Sequence, residues 1–598
     1  MKRIVFIFAL AAALSEIYAA PASRALRTET LDDGTEISYY VRGDEKYRYF
    51  LSTDGYTMLR NEDGVFVYAQ KDENDSLIAG NVRAHNEAGR TPTETAFLQT
   101  LTPFLTYSEA QVAAFLERWQ DTAQPQKARK TGVSSAGSTN PDAQNGRHTR
   151  NLVILVNFSD KSFVVSNPQE QFYNLLNEPN YSYNGATGSV RDYFSDNSMG
   201  LFQPEFIVTQ PVTLPNTLSY YAQSGPRNRQ MIIDACNAVN ATVDFADFDS
   251  DNDGWVDNVC VIFAGNNAAE GDRTLINPHV WTLASAMTYD GKKVYDYLCT
   301  SELRGSGKTA ASICGIGTFT HEFSHILGLP DMYNDAVLYC LEKWDIMDFG
   351  LYNNDGRTPP AYSSYERYFM GWLTPEILNL PANESLEDLK TSNRAFIITN
   401  GGTPNFNGFV PSPAEFLLLE NRQQTDWDEF LPHHGLLIWR INYYAADWNN
   451  NTPNNILRKG IYIIPADGKA TIDTQDGDSF PGKLGKTFYA PQWRNNIYLG
   501  TSFTYISEES GIISFHYIDG TTTLCSVVNE NFKLWTNQKS LHISGVNGEV
   551  EIIQTDGRTI LKKKVSDFDT EIPIPQAGIY VLKLKNNDKV STTKFIIH

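Results

Sequence analysis

Two histidines spaced four residues apart mark the stretch of this chain that is best suited to chemistry. On a helix, His321 and His325 would project from one face, close enough to share a metal ion. Glu322 lies beside the first histidine, where its carboxylate can polarise a metal-bound water. Gly328 can end the helix, so that the chain turns back and Asp331 supplies a third ligand. Three protein ligands and one open position are typical of a catalytic zinc site.

The alternative interpretation of this motif is an amphipathic helix that carries two surface histidines. Because the 598 residues include 10 histidines, and the glycine and aspartate follow at fixed offsets, a chance match is rare. Met347 follows in a predicted tight turn and could form an apolar floor beneath the histidine ligands, although a lone methionine is more often plain core.

An acidic loop ahead of the motif resembles the first half of an EF-hand calcium loop. Its predicted ligands are the carboxylates of Asp249, Asp251, Asp253 and Asp257 and the backbone carbonyl of Trp255. Gly254 would permit the sharp bend, but Cys260 stands where an EF-hand has its bidentate glutamate. We therefore predict a variant calcium site without the second EF-hand helix. A solvated acidic turn is the alternative.

Composition narrows the class of protein. The content of 41% hydrophobic and 20% charged residues is that of a folded globular chain. A net charge of −21 argues against nucleic-acid binding, because no excess of lysine and arginine is available to neutralise phosphates. Lys2 and Arg3 precede an apolar run and a small-residue cleavage zone, which is typical of a signal peptide. No other stretch is long and apolar enough to predict a transmembrane segment.

Runs of β-like sequence, turns and linker composition divide the chain into five parts. We expect a signal peptide at 1–20, a β-rich propeptide with its linker at 21–147, a zinc metallopeptidase domain at 148–385, a β-rich domain packed on it at 386–520 and a C-terminal β-sandwich at 521–598. The linker, from about residue 120, has an exposed and cleavable composition. An ordinary N-terminal domain on a tether is the alternative to a propeptide. Helices are predicted at 108–119, 231–239 and 312–327.

The cysteines leave their pairing open. Six cysteines allow 15 full pairings, which spacing alone cannot distinguish. A disulfide between Cys299 and Cys314 and buried free thiols are equally compatible with the sequence.

With these motifs in view, the chain resembles secreted bacterial zinc metallopeptidases of the immune inhibitor A family over about residues 30–520. The likeness rests on residues 152–160, 188–200, 249–257, 321–331, 344–350, 420–422, 466–468 and 477–482. It implies an α/β (α+β) metzincin-like peptidase domain between a β-rich propeptide and β-sandwich-like domains, with aspartate replacing the third histidine ligand. Many metzincins carry a tyrosine two residues after the turn methionine, whereas Phe349 stands there in this chain. Tyr352 and Tyr362 are therefore candidates for stabilising the transition state.

The last part of the chain is similar to a type IX secretion sorting domain. The likeness rests on residues 578–580 and 594–597. It implies contact with export machinery and a secreted or cell-surface location.

Together these features predict a secreted zinc metalloendopeptidase that acts on proteins or peptides. His321, His325 and Asp331 would bind zinc, and Glu322 would serve as general base and then general acid. No cysteine precedes Cys236, so a propeptide would have to block the site with a carboxylate or by steric cover. The alternatives are a secreted adhesin or glycan-binding protein on a degenerate peptidase fold, and a zinc hydrolase acting on non-peptide substrates.

Overall fold

The fold is that of a computed structural model of the chain. The structure describes residues 18–43, 47–108, 110–112, 114–115, 148–223, 226–270, 274–305, 312–333, 339–455, 458–493, 501–519, 533–536, 540–554, 558–566, 570–574, 578–586 and 589–597. Most of the predicted signal peptide, most of the predicted linker and Cys525 lie outside these residues. In the predicted helix at 108–119, residues 110–112 and 114–115 are helical, and the remainder past 115 lies outside the description.

The N-terminal region is an antiparallel sheet of six strands. Its strands follow the two-residue β1 (Tyr18–Ala19) and are β2 (Arg27–Thr30), β3 (Glu36–Gly43), β4 (Arg48–Ser52), β5 (Thr57–Arg60), β6 (Phe66–Lys71) and β7 (Leu77–Arg83). Each strand pairs with the next along the chain, as expected where two-residue turn signals separate alternating apolar runs. The helix α1 (Pro92–Leu98) follows, with Thr91 and Glu94 forming a capping box at its start.

A seven-stranded sheet forms the centre of the region that carries the histidine motif. β1 joins the strands β8 (Arg150–Asn157), β9 (Glu205–Val208), β10 (Val212–Thr213), β11 (Val259–Asn266), β12 (His279–Tyr289) and β13 (Lys292–Leu303). Their order is β1-β12-β13-β11-β8-β10, and β9 also pairs with β8. The pairings among β8, β9, β10, β11 and β13 are parallel, whereas β12 is antiparallel to β13 and to β1. Parallel strands are buried on both faces, which explains the continuous apolar runs in β8 and β11.

Among the described residues, four α-helices lie between β8 and β13 along the chain, and four more follow β13. They are α2 (Pro168–Asn177), α3 (Val190–Asn197), α4 (Leu218–Tyr221), α5 (Pro226–Val239), α6 (Ile316–Ile326), α7 (Ser364–Phe369), α8 (Leu389–Ser392) and α9 (Ala445–Asn449). Short 3-10 helices occur at Glu87–Gly89, Tyr183–Gly185, Phe245–Phe248, Glu342–Trp344, Phe349–Gly356, Asp426–Asp428 and Ile472–Gly477. In the part of the chain that the structure describes, no helix has the length and hydropathy required to cross a bilayer.

Two further sheets follow the region of the motif. One contains β14 (Glu376–Ile377), β16 (Phe396–Thr399), β17 (Glu415–Arg422), β18 (Gly435–Asn442) and β21 (Ile461–Ile463); the other contains β15 (Ala382–Leu386), β22 (Thr501–Glu509) and β23 (Ile512–Asp519). Phe416 and Leu418 of β17 share an apolar core with Phe323 of α6. The alternate residue Leu417 packs into the core that includes Phe515 of β23. The five-stranded sheet is therefore buried on both faces, against the motif region and against the smaller sheet.

A hairpin and a C-terminal pair of sheets complete the fold. The hairpin is β19 (Asn454–Asn455) and β20 (Arg458–Lys459). The C-terminal sheets contain β24 (Lys533–Thr536), β25 (Ser540–Ser544) and β28 (Thr570–Pro573), and β26 (Gly548–Gln554), β27 (Thr559–Val565), β29 (Gly578–Asn586) and β30 (Lys589–Ile597). One apolar core that includes Leu541 and Ile552 lies within this unit, an arrangement typical of a small β-sandwich.

Two sequence-based expectations need correction or are resolved by the structure. The motif helix begins at Ile316 rather than at residue 312, because Ile313 forms a β-bridge with Leu303 and residue 315 is extended. Cys299 and Cys314 are free thiols, as are Cys236, Cys260 and Cys340. Of the two interpretations of Cys299 and Cys314, buried thiols are therefore the correct one. The chain as a whole is a mixed α/β protein with β-rich flanks.

Candidate active site

The motif helix α6 is held by close backbone contacts at its start. A Cβ atom on Gly315 would lie 2.1 Å from the Gly356 carbonyl oxygen, and one on Gly317 would lie 2.0 Å from that of Leu351. The helix is buried from Ile316 through His325, so it crosses the interior rather than lying on the surface. This burial excludes the interpretation of the motif as an amphipathic surface helix.

His321 and His325 face the same point because their outer ring nitrogens are both engaged by backbone carbonyls. Nδ1 of His321 lies 2.8 Å from the Ile346 oxygen, and Nδ1 of His325 lies 2.7 Å from the Leu329 oxygen. These contacts require a hydrogen on each Nδ1, which leaves each Nε2 with a lone pair. The two Nε2 atoms are 3.2 Å apart.

Asp331 completes the group after the chain turns at Gly328, whose φ of +106° favours glycine. One carboxylate oxygen, Oδ1, lies 3.3 Å from Nε2 of His321 and 3.1 Å from Nε2 of His325. The other, Oδ2, accepts a hydrogen bond of 2.6 Å from the side-chain amide of Asn451, whose Oδ1 in turn accepts the Asp331 backbone N–H at 2.6 Å. Asp331 is thus held from both ends by one asparagine.

The three inward-facing atoms have the chemistry of a cation site. Oδ1 of Asp331 is buried and receives no hydrogen bond among the described residues, because neither Nε2 carries a hydrogen. Three acceptors that face one another at about 3 Å repel unless a positive charge lies between them. Two imidazoles and a carboxylate are ligands that zinc prefers. The residues present therefore fit a zinc ion.

The charges of these groups depend on one another. Burial acts to raise the pKa of Asp331, but the imidazoles of His325 and His321 outweigh it and hold the pKa well below its usual range. Burial lowers the pKa of His325, against the opposing effect of Asp331. The carboxylate is thereby kept ionised and His325 is biased towards its neutral form, which are the protonation states that metal binding requires.

Glu322 lies beside this group and contacts the N-terminal segment of the chain. Its Oε1 accepts the backbone N–H of Ala20 at 2.9 Å. The preceding strand β1 pairs antiparallel with β12, with Ala19 opposite His279. The carbonyl of Pro21 accepts a hydrogen bond of 2.6 Å from the Tyr352 hydroxyl. An extended stretch of the chain, residues 18–24, thus follows the edge of the main sheet past Glu322, and we call it the leader.

The turn around Met347 lies next to the motif helix, since the Ile346 carbonyl contacts His321. Met347 is fully buried in the core that contains α6, and its carbonyl accepts the Met332 backbone N–H at 2.8 Å. Of the two tyrosine candidates, Tyr362 is fully buried and its hydroxyl lies 2.5 Å from that of Ser324. Tyr352, in contrast, contacts the leader.

A buried charge network supports the region from below. The Arg422 guanidinium donates to Asp428 at 2.6 Å and to Glu420 at 3.1 Å. Glu420 accepts the backbone N–H of Ser364 at the start of α7, and Asp428 accepts that of Ala361 at 2.9 Å. All three charged side chains are fully buried. The network ties β17 to the segment that follows the Met347 turn.

The acidic loop brings three of its predicted ligands together. Carboxylate oxygens of Asp249, Asp251 and Asp257 lie within 4.8 Å of one another. Asp253 is not in this cluster, since its carboxylate accepts the Trp255 backbone N–H at 2.9 Å. In this arrangement Lys292 donates to Asp249 at 2.7 Å. One oxygen of Asp257 is buried without a hydrogen bond from the described residues, while the other accepts the His148 backbone N–H at 2.8 Å.

Two aspartates in turns near the site, Asp467 and Asp478, have structural contacts. The turn residue Asp478 is fully buried beneath Tyr339 and Trp344, and Trp344 donates to it at 3.0 Å. Asp467 pairs through its backbone with Gly477. Among the described residues these two aspartates form no cluster of metal ligands, in keeping with turn roles.

Comparison with known proteins bears on the same residues. Residues 139–373, which include the histidine motif, match the profile of the immune inhibitor A peptidase M6 catalytic domain. The chain carries a peptidase M6 domain. Immune inhibitor A from Bacillus thuringiensis subsp. alesti is 24% identical over 301 residues, which are 40% of this chain and 43% of that protein. The chain thus matches less than half the length of this curated relative.

The C-terminal unit has its own match. Residues 528–598 match the profile of the secretion system C-terminal sorting domain. A solved structure of PorZ, a surface component of the type IX secretion system of Porphyromonas gingivalis, is 14% identical over 17% of this chain and 15% of that chain, with a TM-score of 0.11. The sorting domain and the relationship of the peptidase M6 domain to immune inhibitor A point to an extracellular or cell-surface location.

Proposed function

We propose that the chain is a secreted zinc-dependent metalloendopeptidase. The observation that carries the proposal is the convergence of His321, His325 and Asp331 on one point beside Glu322, where an extended peptide lies with a backbone N–H on the Glu322 carboxylate. Membership of the region in a metallopeptidase family supports the same assignment. The position of the Met347 turn next to the motif helix supports a metzincin-like site.

The chain's own residues supply binding and proton transfer. Zinc, when bound, would lower the pKa of a water and polarise the scissile carbonyl. Glu322 is buried and positioned to accept the proton of that water and to pass it to the leaving nitrogen. In the leader, the backbone nitrogen of Ala20 lies where that leaving nitrogen would be. Strand β12 would orient a substrate by pairing with it at the edge of the sheet, as β12 pairs with β1. The Tyr352 hydroxyl would bind a substrate carbonyl beyond the scissile bond.

We further propose that the N-terminal region acts as a propeptide by steric cover. The leader residues that follow the predicted signal peptide contact the surroundings of Glu322, since the Pro21 carbonyl accepts from the Tyr352 hydroxyl and Arg24 pairs with Glu342. Removal of the predicted signal peptide at 1–20 would leave the contacts of Pro21, Ser23 and Arg24 in place. Comparing the uncut chain with a chain trimmed in the linker would test this. Equal rates on a large substrate would contradict latency.

A calcium ion at the acidic loop is the third part of the proposal. The support is the grouping of Asp249, Asp251 and Asp257 and the unsatisfied buried oxygen of Asp257. Calcium would displace Lys292 from Asp249, and Asp253 and the Trp255 carbonyl would complete the shell as the loop spacing predicts. Because Asp257 also binds the backbone of His148, the ion would fix the start of the peptidase domain.

We also propose that export of the protein uses the C-terminal sorting domain.

The decisive assay is casein cleavage by the linker-trimmed chain, with bound zinc counted. We expect one zinc per chain at the histidine site, loss of cleavage on treatment with a zinc chelator and recovery when zinc is restored. Bound zinc without cleavage of any protein or peptide would favour a hydrolase of non-peptide substrates. A chain that binds no zinc would favour the adhesin or glycan-binding alternative.

A further inference from the structure

The leader places an arginine against Glu342 and Phe349, two residues that we call the pocket. Arg24 lies four residues after Ala20, whose N–H contacts Glu322. Its guanidinium forms an ion pair with the Glu342 carboxylate and stacks on the Phe349 ring, with Cζ 3.6 Å from the ring centroid. A planar cation that is paired on one side and stacked on another is held in a way that suits arginine better than lysine.

The pocket is built by residues of the peptidase M6 domain and not by the leader. Asp348 closes the turn by accepting the backbone N–H groups of Leu341 and Glu342 through Oδ2 and that of Phe349 through Oδ1, each at 2.8 Å. Glu342 has a φ of +57°, a left-handed conformation that is uncommon for a glutamate. Backbone strain of this kind is concentrated at functional sites. The turn therefore holds the Glu342 side chain in a fixed direction.

The buried carboxyl groups of Glu342 and Asp348 favour a bound cation. Glu342 is 2% exposed, and its Oε1 has no hydrogen-bond partner among the described residues. Asp348 is also buried, and burial together with the neighbouring Glu342 raises its pKa. If the leader left the pocket without replacement, two buried carboxyl groups would remain without the guanidinium that faces them, which is costly.

We propose that Glu342 and Phe349 form a substrate subsite that selects an arginine side chain on the C-terminal side of the scissile bond. The leader fills this subsite with Arg24, and a substrate would place its own guanidinium on the same carboxylate and ring. The inference rests on the proposed peptidase function and adds the chemical class of substrate to it. Citrulline, which keeps the size but loses the charge, and glutamine, which is shorter and uncharged, would leave Glu342 unpaired.

A quenched peptide with the sequence of residues 16–27 tests the subsite directly. Versions with arginine, lysine, citrulline or glutamine at the position of Arg24 would be offered to the linker-trimmed, zinc-loaded chain, and cleavage sites would be mapped by mass spectrometry. We expect kcat/KM to be about a hundredfold higher with arginine than with glutamine, and lysine to fall between them. Equal cleavage of the arginine and glutamine peptides would overturn the subsite and leave the peptidase assignment intact.

Enzyme variants locate the preference on the pocket. Glu342→Gln should abolish the distinction between arginine and glutamine peptides, whereas Glu376→Gln should retain it. Glu376 is a matched control because it pairs with Arg394 on an exposed surface. A preference that survived Glu342→Gln would overturn the assignment to this pocket. The four peptides on the native chain decide the question even if Glu342→Gln fails to fold.

A binding measurement separates the two proposals if no peptide is cleaved. Fluorescence anisotropy of the labelled peptides, titrated with the same chain, requires no turnover. Absence of cleavage of every substrate would refute the peptidase function. In that case tighter binding of the arginine peptide than of the glutamine peptide would still support the pocket, and equal binding would refute it.

Discussion

Replacing Asn451 with alanine should weaken zinc binding although Asn451 is not itself a ligand. Its side chain accepts the Asp331 N–H and donates to Asp331 Oδ2, both at 2.6 Å. The asparagine is 5% exposed, so water cannot readily replace these contacts. Without them the Asp331 carboxylate would lose the partner that holds it towards His321 and His325.

The size of the effect follows from the two lost contacts. A hydrogen bond to a charged group contributes ~1.5–3 kcal/mol and a neutral one about 1 kcal/mol. Part of this energy is lost in the metal-free protein as well, so the difference in zinc binding is smaller than the sum. Loss of a residue that orients a ligand typically weakens metal affinity about 10- to 100-fold. We therefore expect the zinc dissociation constant of Asn451→Ala to rise by that factor.

Competition with a chromophoric chelator would measure the two dissociation constants. Asn455→Ala is the matched control, since Asn455 lies in the same hairpin region and donates to the Thr452 carbonyl at 3.1 Å rather than to Asp331. We expect the control to bind zinc as the native chain does. Unchanged affinity in Asn451→Ala would refute the argument that Asp331 is a ligand positioned by this asparagine.

Three further predictions concern stability. Gly317→Ala should destabilise the fold by about 1–3 kcal/mol, because the new methyl group would meet the Leu351 carbonyl, whereas Gly89→Ala, with its nearest neighbour at 3.9 Å, should not; thermal unfolding of both variants is the test. Burial lowers the pKa of His279 from 6.5 to about 4, so its own contribution to stability should fall by about 2 kcal/mol from pH 7 to pH 5, because the unfolded chain binds the extra proton. Urea unfolding of the native chain and of His279→Gln at both pH values isolates this contribution from that of the buried Asp345 and Asp478, whose raised pKa values act in the opposite direction; an equal pH dependence in the two proteins would contradict it. Calcium should raise the melting temperature of the native chain, and Asp257→Asn should remove most of that increase; an equal increase in both would place calcium elsewhere.

The grouping of the two histidines and the aspartate could be predicted from sequence because it is local. His321, His325 and Asp331 fall within one helix and the turn after it, so helical periodicity and the glycine at 328 determine their relation. The strands β8 and β11 were likewise predictable from continuous apolar runs. The grouping of three acidic residues in the loop follows from alternation over a short segment.

The residues that sequence reasoning missed are distant along the chain from the motif. Asn451 lies in an asparagine-rich stretch that predicts a turn and nothing more. Residues 18–24 have the composition of a signal-peptide cleavage zone, and their place on β12 depends on tertiary pairing. The pocket of Glu342 depends on a left-handed glutamate that no propensity predicts. The sequence predicts the start of α6 at residue 312, ahead of its observed start at Ile316. The close contact of Gly315 with the Gly356 backbone has no local signal in the sequence.

The central claim is that Glu322 performs proton transfer at a zinc site formed by His321, His325 and Asp331. Glu322→Ala in the linker-trimmed chain, with zinc counted and casein cleavage measured, tests it most directly. The account predicts one bound zinc as in the native chain and a rate of cleavage lower by a factor of about 10²–10⁴ or more. Cleavage at the native rate with zinc retained would contradict the account.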